Sequence, residues 1–240
     1  MPTRKQTPKK VASDPTAELL VAIEAMKLPA IKAALEAGGD PNAMIDDRTS
    51  LLALACYRAK YDVAQLLVDH GADVDLDDGS GTLLAGFVDN EGEKIAKPEA
   101  NAALWLIAHG ADCKTATRDS GRTPLADAAR SGHLELVAAL IAGGATLEGD
   151  KPTGNTPLHW AVASRADRAV WEALLAAGNK LEAKNLAGET PLSYAQAEHN
   201  HEAVAFLLGK GATRDVKVDG KTPLERATAA KQARIVKLLK

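Results

Sequence analysis

Apolar side chains between Thr123 and Leu140 fall at Leu125, Ala128 and Ala129, then again at Leu136, Val137 and Leu140. Steps of three and four put each set on one face of a short helix. Ser131-Gly132-His133 separates the two sets, and Gly143-Gly144 follows the second, where glycine commonly ends a helix. The pattern predicts two helices folded back on each other. A polar stretch of about ten residues then leads to the next apolar set. Its Asp-Gly pairs, such as Asp78-Gly79 and Asp219-Gly220, favour a tight turn in an extended finger.

The same layout recurs along the chain. Gly-x-Thr-Pro-Leu appears at Gly121 to Leu125, Gly154 to Leu158, Gly188 to Leu192 and Gly220 to Leu224, with degraded copies at Thr49-Ser50-Leu51 and Thr82-Leu83-Leu84. From Thr49 through Thr82, Thr123, Thr156 and Thr190 to Thr222 the steps are 33, 41, 33, 34 and 32 residues. A second phrase closes each unit, as in His70-Gly71-Ala72-Asp73, His109-Gly110-Ala111-Asp112, Gly143-Gly144-Ala145-Thr146 and Lys210-Gly211-Ala212-Thr213. The Thr hydroxyl suits a helix N-cap, Pro suits the first turn because its missing N–H would be unpaired there anyway, and Leu opens the buried stripe. The pairs Ala128-Ala129, Ala161-Val162 and Ala195-Gln196 let neighbouring hairpins approach closely.

Two coupled phrases at a period near 33 resemble the ankyrin repeat, and the resemblance covers the chain from about Pro15 to Lys240. It implies an all-α fold, an ankyrin-repeat α-solenoid of helix-turn-helix units with short β-hairpin-like fingers, about seven repeats including two caps. The expected layout is a disordered basic tail over 1–13 and a repeat domain over 14–240. Within it lie a cap at 14–45, repeats at about 46–78, 79–118, 119–152, 153–186 and 187–218, and a C-terminal cap at 219–240. In the first cap Asp14-Pro15 opens a helix through Met26, and Leu28-Pro29 opens one through Ala37. Lys231, Arg234, Lys237 and Lys240 line one side of the last helix.

Repeat three departs from the pattern. Thr82-Leu83-Leu84-Ala85-Gly86-Phe87 lacks the Pro, carries Gly inside the first helix and places Phe87 where its neighbours have Ala. Its surplus residues fall at Asp89 to Glu99, expected between its two helices. A helix-interior Gly costs about 1 kcal/mol against Ala, and the larger Phe87 should push its neighbour away. Repeat three is therefore the expected local minimum of stability.

Composition narrows the function. Aromatic residues are 3% of the chain, so the interior is aliphatic, and a net charge of −3 gives no overall polycation for nucleic acid. No apolar run approaches the roughly 20 residues of a membrane span, and Met1 to Lys10 is basic and polar with no apolar stretch behind it. Two cysteines, Cys56 and Cys113, make no disulfide framework, and a cytoplasmic setting follows. Cys113, beside Lys114, is expected to be an ordinary exposed thiol. His70, His109, His133 and His159 sit where the ankyrin resemblance places histidine, hydrogen-bonding the finger backbone. His199 and His201 lie on a loop between helices with no Cys or carboxylate at ligand spacing. No phosphate loop appears. The expectation is no catalytic residue, no metal and no cofactor.

The surface is left as the functional element, and in this fold class it is a face of fingers and first helices. If Leu125, Ala128 and Ala129 point inward, Asp127 and Ser131 lie on another stripe. Its counterparts are Ala53 and Tyr57, Trp160 and Ser164, Tyr194 and Glu198, and Arg226 and Ala230. Trp160 and Tyr194 thus share one slot in successive repeats, as anchors for a partner or as local core. Trp105 and Trp171 fall at structural positions. The expected partner-binding set joins Tyr57, Ser131, Trp160, Ser164, Tyr194 and Glu198 to the finger residues Asp77, Asp78, Arg122, Asn155, Glu189 and Lys221.

Charge is uneven along the chain. Residues 36–99 carry 14 Asp/Glu against 5 Lys/Arg, whereas residues 210–240 carry 9 basic against 3 acidic. Such a gradient would steer a partner of matching polarity. The expected function is non-enzymatic recognition of a partner protein by a monomeric chain. One alternative is an inhibitor or immunity protein that occludes an enzyme's active site with acidic fingers. A weaker one is nucleic-acid binding through the basic C-terminal cap, which the acidic stretch argues against.

Overall fold

Five threonines set the frame. Thr82, Thr123, Thr156, Thr190 and Thr222 each have the extended backbone of an N-cap and precede the first helix of a hairpin. Thr123 Oγ1 accepts from Ala126 N at 3.2 Å, and at Thr156, Thr190 and Thr222 a return bond from the third helical residue completes a capping box. The computed structural model describes residues 14–77, 81–89, 95–117 and 120–240. The expected tail over 1–13, Asp78 with its turn, Arg118 and the middle of the repeat-three insertion lie outside the described residues.

Among the described residues fourteen helices follow one another in pairs, divided between two units, Met1–Asp73 and Val74–Lys240. The first unit holds α1 (Pro15–Glu24) and α2 (Leu28–Glu36), a hairpin of β1 (Met44–Asp46) and β2 (Thr49–Ser50), then α3 (Leu51–Tyr57) and α4 (Tyr61–Asp69). Here α1 packs on α3 and α2 on α4, burying Leu19, Ile23, Ile31, Leu51, Leu52 and Leu67.

The second unit holds α5 (Leu83–Val88), α6 (Lys97–Ala108), α7 (Pro124–Ser131), α8 (Leu134–Ala142), α9 (Pro157–Ala163), α10 (Arg168–Ala176), α11 (Pro191–Ala197), α12 (His201–Gly209), α13 (Pro223–Ala229) and α14 (Ala233–Leu239). First helices stack in one layer, α5 on α7 on α9 on α11 on α13, and α6, α8 and α10 stack in a second. Leu84, Leu125, Leu158 and Leu192 are buried between the layers with the small residues Ala128, Ala129, Ala161 and Ala195. The fold is an all-α ankyrin-repeat solenoid of about seven helical hairpins.

Several local expectations change. The cap of α3 is Ser50, whose Oγ accepts from Ala53 N at 3.1 Å, and not Thr49. Repeat two is therefore displaced by one residue. The slot shared by Trp160 and Tyr194 is filled there by Leu54, and Tyr57 matches Arg130 where Ser131 was expected. Lys97, Pro98 and Glu99 belong to α6, which starts early and runs for 12 residues, so they are helix and not insertion loop. His201 is likewise the first residue of α12. In six hairpins the turn between helices needs one left-handed residue, and only repeat four supplies glycine, Gly132 at φ 74°. Met26, Ala59, Arg165, His199 and Lys231 hold positive φ without that freedom.

Candidate functional site

The fingers of the second unit are joined to one another and to the first helices by backbone and side-chain hydrogen bonds. Leu186 N donates to Thr153 O at 2.9 Å, Asn185 Nδ2 donates to Asn155 Oδ1 at 2.8 Å, and Thr213 N donates to Glu182 Oε1 at 2.7 Å. The same device appears at Asp75, whose Oδ1 accepts from Asp112 N at 2.8 Å, and within the first unit at Asn42, whose Oδ1 accepts from Asp73 N at 2.7 Å. Much of the acidic finger sequence is thus structural. Asp40, Asp46 and Asp112 each accept from a backbone N–H two residues on, closing turns, and Asp77 accepts from Gly81 N. Those bonds hold the carboxyls of Asp46 and Asp112 below the usual range, at Asp46 chiefly through Arg48 N and at Asp112 chiefly through the Thr115 hydroxyl.

At the centre is the series of slot residues on successive first helices: Gly86, Asp127, Trp160, Tyr194 and Arg226. Asp127 was expected on a surface stripe, yet it is 0% exposed. Its Oδ1 accepts from Arg122 Nε at 2.6 Å, and Arg130 Nη2 lies at 3.5 Å. Arg122 also reaches Asp89 at 3.4 Å and lies 5.6 Å from the Trp160 ring centroid. Burial pushes the Asp127 carboxyl above its usual range, against the pull of Arg122. Asp127 is enclosed by Arg122, from the finger before its helix, and by Arg130, one turn along the same helix.

The two aromatic members are held by their polar tips. Half-buried Trp160 donates from Nε1 to Asp150 Oδ2 at 2.7 Å, and Asp150 in turn accepts from the Thr153 amide and hydroxyl. Half-buried Tyr194 accepts at its hydroxyl from Asn155 Nδ2 at 3.3 Å, and burial raises its pKa, so the phenol keeps its own proton. Asn155 is 2% exposed and cannot be part of a contact surface. It was expected in the partner-binding set, but here it joins Tyr194 to Asn185. Glu189 pairs with Arg226 at 2.9 Å. His159 lies beneath, accepting at Nδ1 from Thr156 N at 3.2 Å and facing Glu189 O across 3.0 Å with Nε2. Burial pushes it below the usual histidine range, and the neutral ring has the one acceptor and one donor these bonds need.

The remaining expected residues scatter. Tyr57, 61% exposed, belongs to the first unit. In the second, Asp77, Ser164, Glu198 and Lys221 are exposed and Ser131 is half-buried, its hydroxyl donating to Ala128 O at 2.9 Å. Trp171 is buried and donates to Ala161 O at 3.1 Å, and Trp105 stacks on His109 at 3.8 Å between centroids. His70 and His109 face carbonyls of their own helices, Leu66 O and Trp105 O, and His133 caps α8. Cys113 is buried, not exposed, and burial raises its thiol pKa; Cys56 is pushed up to about 12 by the same cause. Neither is a reactive thiolate. What the sequence did not reveal was Asp150, which holds Trp160, Asn185, which holds Asn155, and Asp89, which pairs with Arg122.

Among the described residues no helix is long and apolar enough to cross a membrane, and no three His, Cys, Asp or Glu side chains cluster as a metal would need. A family model for ankyrin repeats in three copies matches residues 94–185 and 168–240, and one for the single ankyrin repeat matches residues 46–79. No curated protein matches the chain by sequence. Among solved structures the ankyrin repeat domain of Bcl-3, described as a member of the IkappaB protein family, is similar in fold at a TM-score of 0.74 and 23% identity, covering 92% of this chain and 97% of that one. The matched stretches together span well over half the sequence, and the chain belongs to the ankyrin-repeat family of non-catalytic protein-interaction modules.

Proposed function

We propose that the second unit recognises a partner protein through its fingers and first helices, and that Trp160 and Tyr194 anchor the contact. One observation carries this reading. Two aromatic side chains on successive first helices are half-exposed, and both are fixed by hydrogen bonds to the one finger 145–156, Trp160 through Asp150 and Tyr194 through Asn155. Aromatic side chains already held in one rotamer lose little entropy when a partner covers them. Arg122, Glu189 and Lys221 frame them, with Ser131, Ser164 and Glu198 one turn further along the helices. The chain acts as a monomer in the cytoplasm, a reducing compartment that two free, buried cysteines fit.

Active-site occlusion by acidic fingers has less support, because most of those carboxylates already accept backbone N–H groups. The test is affinity purification with mass spectrometry, run in parallel on the wild-type chain, Trp160→Ala and Tyr194→Ala. A partner recovered by the wild type and lost by both variants, with unchanged circular dichroism, is the expected result. Partners that remain bound to both variants would move the interface elsewhere.

A further inference from the structure

The partner chemistry of that face follows from how its charges are disposed. Over the three fingers 145–156, 177–190 and 210–222 the sequence is nearly balanced, with seven basic and six acidic residues. The structure tips that balance at the surface. Asp150 is buried on Trp160 and Glu189 is 12% exposed and paired with Arg226, whereas all seven basic residues are exposed against four acids, of which Glu182 accepts from Thr213 N. Lys151, Lys184, Lys217 and Lys221 are all exposed and enter none of the ion pairs among the described residues. Between them, on the middle finger, Leu186 is 74% exposed, its backbone fixed by the bond to Thr153 O. Gly154 permits that approach, since a Cβ there would meet Leu186 N at 2.8 Å.

We infer that this face takes an acidic protein segment carrying one aliphatic or aromatic side chain. The segment's carboxylates pair with the fingertip lysines, its apolar side chain covers Leu186, and one carboxylate accepts the proton that the Tyr194 hydroxyl still has to give. An exposed leucine among lysines gains nothing from a phosphate backbone, and Glu148, Asp215 and Asp219 on the same fingers would repel a continuous phosphate track. A protein segment can place its own uncharged or basic residues against those acids.

The inference rests on the protein-recognition reading, and one experiment separates the two. A display library of random 16-residue peptides is selected against the full chain, and the enriched peptides are synthesised and titrated by fluorescence anisotropy. Enriched peptides should be rich in Asp and Glu around one large apolar residue. Their affinity should fall at least tenfold in Lys184→Glu/Lys217→Glu and in Leu186→Asp, with circular dichroism and melting unchanged. Enriched peptides that are neutral or basic, or acidic peptides indifferent to those substitutions, overturn the acidic assignment and leave protein recognition standing. A 20-nucleotide single-stranded RNA that binds the same lysines more tightly than any selected peptide overturns it in favour of nucleic acid. A wild-type chain that enriches nothing overturns both.

Discussion

Repeats three and five share one template and use it in opposite ways. Repeat five has the complete Thr-Pro-Leu-His phrase, a closed capping box, and a slot residue, Trp160, whose tip is tied to Asp150. Repeat three has neither Pro nor box. Its Thr82 Oγ1 accepts from Ala85 N at 3.4 Å, α5 is six residues long, and the slot holds Gly86. Phe87, one position on, is buried, and α7 packs along much more of α9 than of α5. The wider residue at the packing position and the missing one at the slot belong together, since the repeat fills its core and offers no side chain at the slot. Arg122 and Asp89 bridge to the next repeat, where a slot side chain does so elsewhere.

That contrast can be broken most sharply at Arg122. Arg122→Ala leaves the buried Asp127 without its 2.6 Å partner and should cost about 3 kcal/mol in chemical denaturation. Pairing it with Asp127→Ala should recover a large part of the loss; no recovery would mean that Arg122 acts through Trp160 and not through the buried acid.

On the other side of the comparison, His159→Ala removes the return arm of the cap and the link to Glu189 O, for an expected cost of about 2 kcal/mol. His159 also sets a pH dependence. Its folded pKa lies below the unfolded one, so its contribution is complete above about pH 6.5 and is lost as pH falls below that, because the unfolded chain gains a proton the folded chain resists. Asp127 has the opposite sign. Its folded pKa is raised, so it favours folding as pH falls through that value. Melting from about pH 7.5 to about pH 5.5 should therefore show a downward slope that His159→Ala flattens.

Gly86→Ala is the smallest change and goes the other way. A Cβ there meets nothing within 4 Å and the backbone is not left-handed, so the variant should gain up to about 1 kcal/mol. Native-state hydrogen exchange sets the two repeats side by side. The amides of α5 should open before those of α9, and equal protection would remove the idea that repeat three is the weak internal repeat.

Much of the scaffold was legible because its determinants are local. N-caps, first-turn prolines, apolar spacing and the glycines that end helices act within a few residues. The expected helical pairs recur among the described residues, with the one-residue displacement at Ser50, the early start of α6 and His201 opening α12 as the differences. That displacement was invisible because Thr49 and Ser50 cap equally well, and only packing of Ala55 and Cys56 in the core chooses between them. The candidate face was legible as positions but not as roles. Asp127, Asn155 and Asp75 have the composition of surface residues, and Cys113 the neighbourhood of an exposed thiol.

The sequence by itself determined the period, the hairpins and the alignment of Trp160 with Tyr194, because each depends on spacing along one chain. Tertiary structure decided which polar residues are spent inside and which face outward. A carboxylate at a fingertip has the same letter whether it closes a turn, caps the next finger or meets solvent, and the difference lies in donors more than thirty residues away, as Asp75 from Asp112 and Glu182 from Thr213.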